Sequence, residues 1–156
     1  DKAHHALAKQ WEARTVIKKY VALLRGHLKP AEGSIEAPLL KGAEKMQISS
    51  RKTAKYALTH YKVLKVMGGY SLVEVQIVTG RTHQIRVHFA AIGHPVCGDK
   101  EYGDAKTNEM LATLGLNRQF LHAAFLEFKH PKTGKTLTLK APTPKDLEQV
   151  LKKLKN

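Results

Sequence analysis

The chain has 156 residues, 42% of them hydrophobic, enough for one domain with its own core and too few for a second full one. Its 27 Lys and Arg against 13 Asp and Glu give a formal charge of +14 that runs from end to end, which points to a polyanionic partner, nucleic acid first among them. The single cysteine, Cys97, excludes a disulfide framework, and no apolar run approaches the ~18 residues of a membrane span.

A merely soluble basic surface is the plain alternative reading of the charge. The N-terminus, Asp1-Lys2-Ala3-His4, has no signal-peptide core and no initiator Met, and it opens directly into a helix pattern. A cytoplasmic chain that begins in mid-domain is therefore expected. Ala3, Leu7 and Trp11 recur at four-residue spacing and predict a helix over about residues 3–13, packed on a sheet by a narrow stripe. From Thr15 the β-branched run Val16-Ile17-Lys18-Lys19-Tyr20-Val21-Ala22-Leu23-Leu24 predicts a strand with Tyr20 near its middle.

Residues 26–55 carry Pro30, Gly33, Pro38 and Gly42 with little periodicity and read as connecting loops with a short strand at most. Lys41, Lys45, Arg51, Lys52 and Lys55 make this stretch basic enough to skirt a phosphate backbone. Residues 59–66 and 70–78 read as two strands of a hairpin closed by Gly68-Gly69. In the second, Val73, Val75 and Ile77 point one way and Glu74 and Gln76 the other.

That strand stops at Gly80, and Ile85, Phe89 and Ile92 then take helical spacing, with Thr82 as expected N-cap and Gly93 and Pro95 as the stop. Beyond it come a short helix over 107–114 ended by Gly115, a strand over 120–129 apolar on both faces, and a turn at Pro131-Lys132-Thr133-Gly134. A partner strand over 136–141 follows. Thr143 and Pro144 open a final helix with Leu147, Val150, Leu151 and Leu154 on one face and lysines on the other. Hairpins outnumber strand-helix-strand units, so the expected fold is α+β, a largely antiparallel mixed sheet with flanking helices.

Two arginines, Arg81 and Arg86, sit at the strand-to-helix corner, where a guanidinium grips a carboxylate or phosphate with two prongs; a solvated helix face is the alternative. Tyr20 is either a strand tyrosine with its ring in the core or an aromatic face for an unstacked base. A metal site is not expected. His83 and His88 would lie roughly 140° apart on a helix and Cys97 is alone, so four ligands do not converge. There is no glycine-rich phosphate loop and no Gly-x-Ser-x-Gly elbow, so no nucleotide cofactor is expected.

The run Thr79-Gly80-Arg81-Thr82-His83-Gln84-Ile85-Arg86-Val87-His88, with Gly93-His94-Pro95, Gly98-Asp99 and Tyr102-Gly103, resembles the hallmark motif of the RluA-type RNA pseudouridine synthases. Lys18 to Leu23, Thr59 to Leu64, Leu121-His122-Ala123 and His130 to Gly134 extend the resemblance over nearly the whole chain. Gly115-Leu116-Asn117-Arg118 leading into Phe120 to Ala124 is most similar to the branch acting on large-subunit ribosomal RNA.

This resemblance implies an isomerase that detaches uracil from its ribose, rotates it and rejoins it through carbon, without metal or organic cofactor. Tyr20 matches the tyrosine that stacks on the base and assists proton removal. Arg86 matches the residue that pairs with the catalytic aspartate. Arg81, His83, Gln84, Lys18 and Lys19 are the expected RNA contacts, and Ile85 and Val87 the pocket or core residues.

The family's His-Arg-Leu-Asp motif is absent from these residues, and neither Asp1 nor Asp99 has its flanks. The expectation is a single unit, the C-terminal portion of a catalytic domain without the nucleophile or an S4-like RNA-binding domain, inactive alone and open to edge-strand self-association. The alternative is a non-catalytic basic RNA-binding module.

Overall fold

The computed structural model describes residues 1–154. Its elements are α1 (Lys2–Glu12), β1 (Ile17–Arg25), β2 (Glu32–Glu36), β3 (Leu39–Lys41), β4 (Met46–Ile48), β5 (Leu58–Met67), β6 (Tyr70–Ile77), α2 (Gln84–Ala91), α3 (Ala105–Ala112), β7 (Leu121–Lys129), β8 (Thr136–Lys140) and α4 (Lys145–Leu154). Six strands form one sheet in the order β2-β5-β6-β1-β7-β8, and every pairing in it is antiparallel. Helices flank it, as the hairpin-rich sequence predicts for an α+β fold.

The period-two alternation of β1 and β6 divides two cores. Ala22, Leu24, Val73, Val75 and Ile77 meet Ile85 and Phe89 of α2 on one face. Leu23 turns to the opposite face, where Leu111 of α3, Leu147 and Val150 of α4, and Phe120 pack. Tyr20 lies beside the first core, so β1 carries it to the face that α2 covers.

Three departures from the sequence reading have local causes. Residues 26–55 hold three strands, because β2 pairs with β5 through backbone bonds that its polar run Glu32-Gly33-Ser34-Ile35-Glu36 does not advertise. The other two, β3 and β4, form a separate two-stranded hairpin anchored by buried Leu39. β7, apolar on both faces, has none of its residues fully buried, and it lies next to the edge strand β8. Finally, α2 begins after His83, which adopts a left-handed φ of 56° and provides no side-chain cap, and Ile92 is 40% exposed. α2 is buried on nearly all sides, Gln84 through Phe89 without a break, and not on the single face expected.

Candidate active site

The turn from β6 into α2 is set by hydrogen bonds among buried polar groups. The Thr79 hydroxyl accepts the Leu58 N–H at 3.0 Å and donates to Gln84 Oε1 at 2.6 Å, which also accepts the Arg81 N–H at 3.0 Å. Gln84 Nε2 donates to the Leu58 carbonyl at 3.0 Å and to Thr59 Oγ1 at 2.9 Å. Thr59 then has one proton left, which it gives to His88 Nδ1 at 2.8 Å. That leaves His88 Nε2–H to donate to the Ala37 carbonyl at 2.9 Å. With all its hydrogen-bonding groups engaged inside the protein, Gln84 braces the turn.

Burial holds the His88 imidazole below its ordinary 6.5, partly offset by the bond to Ala37. The unfolded chain therefore binds the proton more readily, and stability present above pH 6.5 is lost as the pH falls through the lower folded value. Denaturant midpoints measured from pH 7.5 down to 5 should fall with acidification, and the fall should be smaller in His88→Gln. Equal slopes for both proteins would exclude His88 as the cause.

Arg86 projects from α2 toward the loop that follows Gly98. Its Nε donates to Asp99 Oδ2 and its Nη2 to Asp99 Oδ1, both at 2.8 Å, and Nη2 also reaches Glu101 Oε1 at 3.0 Å. Asp99, 1% exposed, accepts the backbone N–H groups of Glu101 at 3.0 Å and Tyr102 at 3.1 Å on Oδ1. Burial pushes its carboxyl up, but the bonds from Arg86 and the two amides outweigh that and hold it below the usual carboxylate range. The same bonds push the guanidinium further up.

Arg86 is thus not an empty receptor. Asp99 and Glu101 fill its Nε/Nη2 edge, and only Nη1 makes no hydrogen bond to any described residue. Asp99 has both oxygens engaged and is buried.

The Tyr102 ring lies 4.9 Å from the Arg86 guanidinium carbon and 5.3 Å from Lys45 Nζ. Its hydroxyl accepts the Met46 N–H at 3.0 Å and bonds His83 Nδ1 at 2.9 Å. Asn108 completes the loop, donating to the Asp99 carbonyl at 2.8 Å and accepting the Gly98 N–H at 2.7 Å. Asp99, Glu101, Tyr102 and Asn108 escaped the sequence reading as partners of Arg86, because no periodicity links a helix to a loop 13 residues on. The available signal was scarcity: acids are few in this chain, and two of them follow Gly98 within three positions.

Across from Arg86 lies Tyr20. The two line one concavity of about 360 Å³ with Ile77, Ile85, Gln119 and Leu121, and Arg81, His83 and Gln84 reach its wall. A bulge between Lys19 and Tyr20 in the β1–β7 pairing, where Lys19 faces Phe125 and Tyr20 faces Ala123, re-aims the strand at this point. Burial raises the phenol above its ordinary 10.0, so it stays protonated at neutral pH.

Of the remaining expected residues, Lys18 lines a neighbouring concavity of about 300 Å³ with Arg14 and Arg81. Lys19 does not join it. It turns to the other face, its ammonium 5.3 Å from the Phe125 ring centre. Val87 packs with Leu39 and Ala57 in a third core cluster and does not line the Tyr20 pocket, whereas Ile85 does. Arg81 donates its Nε to the Tyr56 carbonyl at 2.8 Å, leaving both Nη groups unbonded among the described residues. A concavity that joins the apolar side chains of Ile77, Ile85 and Leu121 to a neutral phenol and one open guanidinium edge suits a planar, unstacked ring beside an anion.

A family profile described as RNA pseudouridylate synthase matches residues 1–91. An uncharacterized RNA pseudouridine synthase of Mycobacterium bovis is 43% identical over 99% of this chain and 50% of that protein. The ribosomal large subunit pseudouridine synthase C of Escherichia coli is 40% identical over 99% of this chain and 50% of that protein. Among solved structures, human RNA pseudouridylate synthase domain containing 4 superposes with a TM-score of 0.79 at 27% identity, covering 96% of this chain and 66% of that one. The chain spans about half the length of the curated relatives it matches.

Proposed function

The chain belongs to the RNA pseudouridylate synthase family, and on that premise we propose that it is the base-binding portion of an enzyme that isomerises uridines to pseudouridines in large-subunit ribosomal RNA. The observation that carries this reading is the meeting of Tyr20 and Arg86, 66 residues apart in sequence, on the lining of one concavity roomy enough for a nucleobase. A uridine inside a helix or stacked loop cannot reach that slot, so the target base leaves its stack and lies against the Tyr20 ring. Ile77, Ile85 and Leu121 exclude water from its edges. The open Nη1 edge of Arg86 receives the catalytic carboxylate. Arg86 is held for that task by Asp99 and Glu101, so it meets the nucleophile in a fixed orientation.

Tyr20 acts as a neutral phenol, offering its face to the base. The aspartate of a His-Arg-Leu-Asp segment supplies the carboxylate, and the 156 residues alone do not turn over. Purified chain incubated with a large-subunit rRNA transcript should yield no pseudouridine on nucleoside chromatography, and a chain extended at its N-terminus to include that segment should yield it. Product from the 156 residues would show the aspartate to be dispensable. No product from the extended chain would leave a basic RNA-binding module in place of an enzyme. The edge strands β2 and β8 also offer unpaired backbone, through which copies of the chain would associate at high concentration.

A further inference from the structure

Arg81 borders a second concavity, of about 370 Å³, between the β3–β4 hairpin and the turn that precedes α2. Its apolar wall is Leu39, Leu40 and Met46; its cations are Lys41, Lys55 and Arg81; and no carboxylate lines it. Lys41 and Lys55 are exposed and their ammonium groups bond nothing among the described residues. Arg81 is fixed by its Nε bond to Tyr56, with both Nη groups left over.

Three uncompensated cations around an apolar wall call for a ligand that joins an anion to an apolar flat face, which is the make-up of a nucleotide. Arg81 also lines the Tyr20 slot, so a single polyanionic strand can pass from one concavity to the other along it. Met46, on the wall of the second concavity, gives its N–H to the Tyr102 hydroxyl, and the Tyr102 ring packs against Arg86. The hairpin that would hold the second nucleotide is therefore tied to the residue that holds the first site together.

We propose that this concavity is a subsite for a second, unstacked nucleotide of the RNA strand whose target uridine lies against Tyr20, its phosphate held by Lys41, Lys55 and Arg81. The proposal rests on the reading of the Tyr20 slot as a base site. An oligouridylate of roughly eight nucleotides, within the usual span of single-strand sites, is prepared with 4-thiouridine at each position in turn and irradiated with the 156-residue chain. Crosslinked peptides are then located by mass spectrometry.

Crosslinks should fall in two places, residues 39–46 and the segment holding Tyr20. Crosslinks at Tyr20 alone would overturn the second subsite and leave the proposed function standing; crosslinks at neither would overturn both. The double substitution Lys41→Gln with Lys55→Gln should lower the slope of log affinity against log salt by about 0.7, the value of one phosphate contact on a single strand. An unchanged slope would overturn the assignment of the phosphate, and uridine monophosphate binding as tightly as the oligomer would show a pocket for free nucleotide instead.

Discussion

Arg86→Ala should abolish pseudouridine formation in a chain that carries the His-Arg-Leu-Asp segment, lowering the rate by at least about a hundredfold, the scale on which a preorganised charge donor at a reacting centre is felt. It should also destabilise the fold by about 3 kcal/mol, because the substitution leaves Asp99 ionised, 1% exposed and without its cation. The figure sits at the low end for a broken buried pair. Asp99 keeps two backbone N–H bonds, and Glu101 is half exposed and can turn to water.

The two effects separate by pH. Asp99 titrates below its ordinary 3.8 in the fold, so the pairing contributes fully above that value and is lost as the pH falls through the lower folded one. The stability difference between wild type and Arg86→Ala should accordingly hold from pH 7 to 5 and shrink below about pH 4. Arg86→Lys keeps the charge but not the fork that meets both Asp99 oxygens, and should recover part of the stability and little of the rate. Normal turnover by Arg86→Ala would remove the residue from the role assigned to it, and an unchanged denaturation midpoint would refute the buried-pair account.

Gly98→Ala should cost about 3 kcal/mol or more, although it adds a single methyl group. Gly98 has a φ of 81°, where a side chain is strained, and a Cβ would stand 2.2 Å from the Arg118 carbonyl oxygen and 2.9 Å from its carbon. Both are backbone atoms with nowhere to move. The loop it would displace carries Asp99 on its next residue, and Asn108 clamps both positions. Loss of stability should therefore come with loss of grip on Arg86, seen as a fall in turnover in the extended chain beyond the unfolded fraction. A melting temperature within a degree of wild type would show that the loop relaxes, against the fixed geometry described above.

Local signals carried most of the architecture. The β-branched run of β1, the alternation of β6, the glycines of the hairpin turns and the apolar stripe of α4 placed those elements within a residue or two of where they stand, because strand propensity, half-buried strands and amphipathic helices leave local marks in the chain. β2, β3 and β4 left no such trace. β2 is held by backbone bonds to β5 and buries one residue, Ile35, so composition had little to report. β7 is apolar on both faces yet buries none of its residues for a related reason: apolar content says what a strand tolerates, and what covers its faces is decided elsewhere in the fold.

The site divides along the same line. By itself the sequence determined that the surface suits a polyanion, since charge needs no coordinates, and it marked Arg81 and Arg86 by their place at a strand-to-helix corner and Tyr20 by its resemblance to a family motif. Only the tertiary structure decided which motif residues face the slot and which brace it. His88 shares the motif with Arg86 yet turns inward to Thr59 and Ala37, Gln84 reaches the slot wall with its amide bonded to Thr59 and Thr79, and Lys19 lies on the sheet face away from Lys18. Above all it decided that Arg86 meets Asp99 and Glu101, a pairing between a helix and a loop that brings charges together through the fold and leaves no period in the chain.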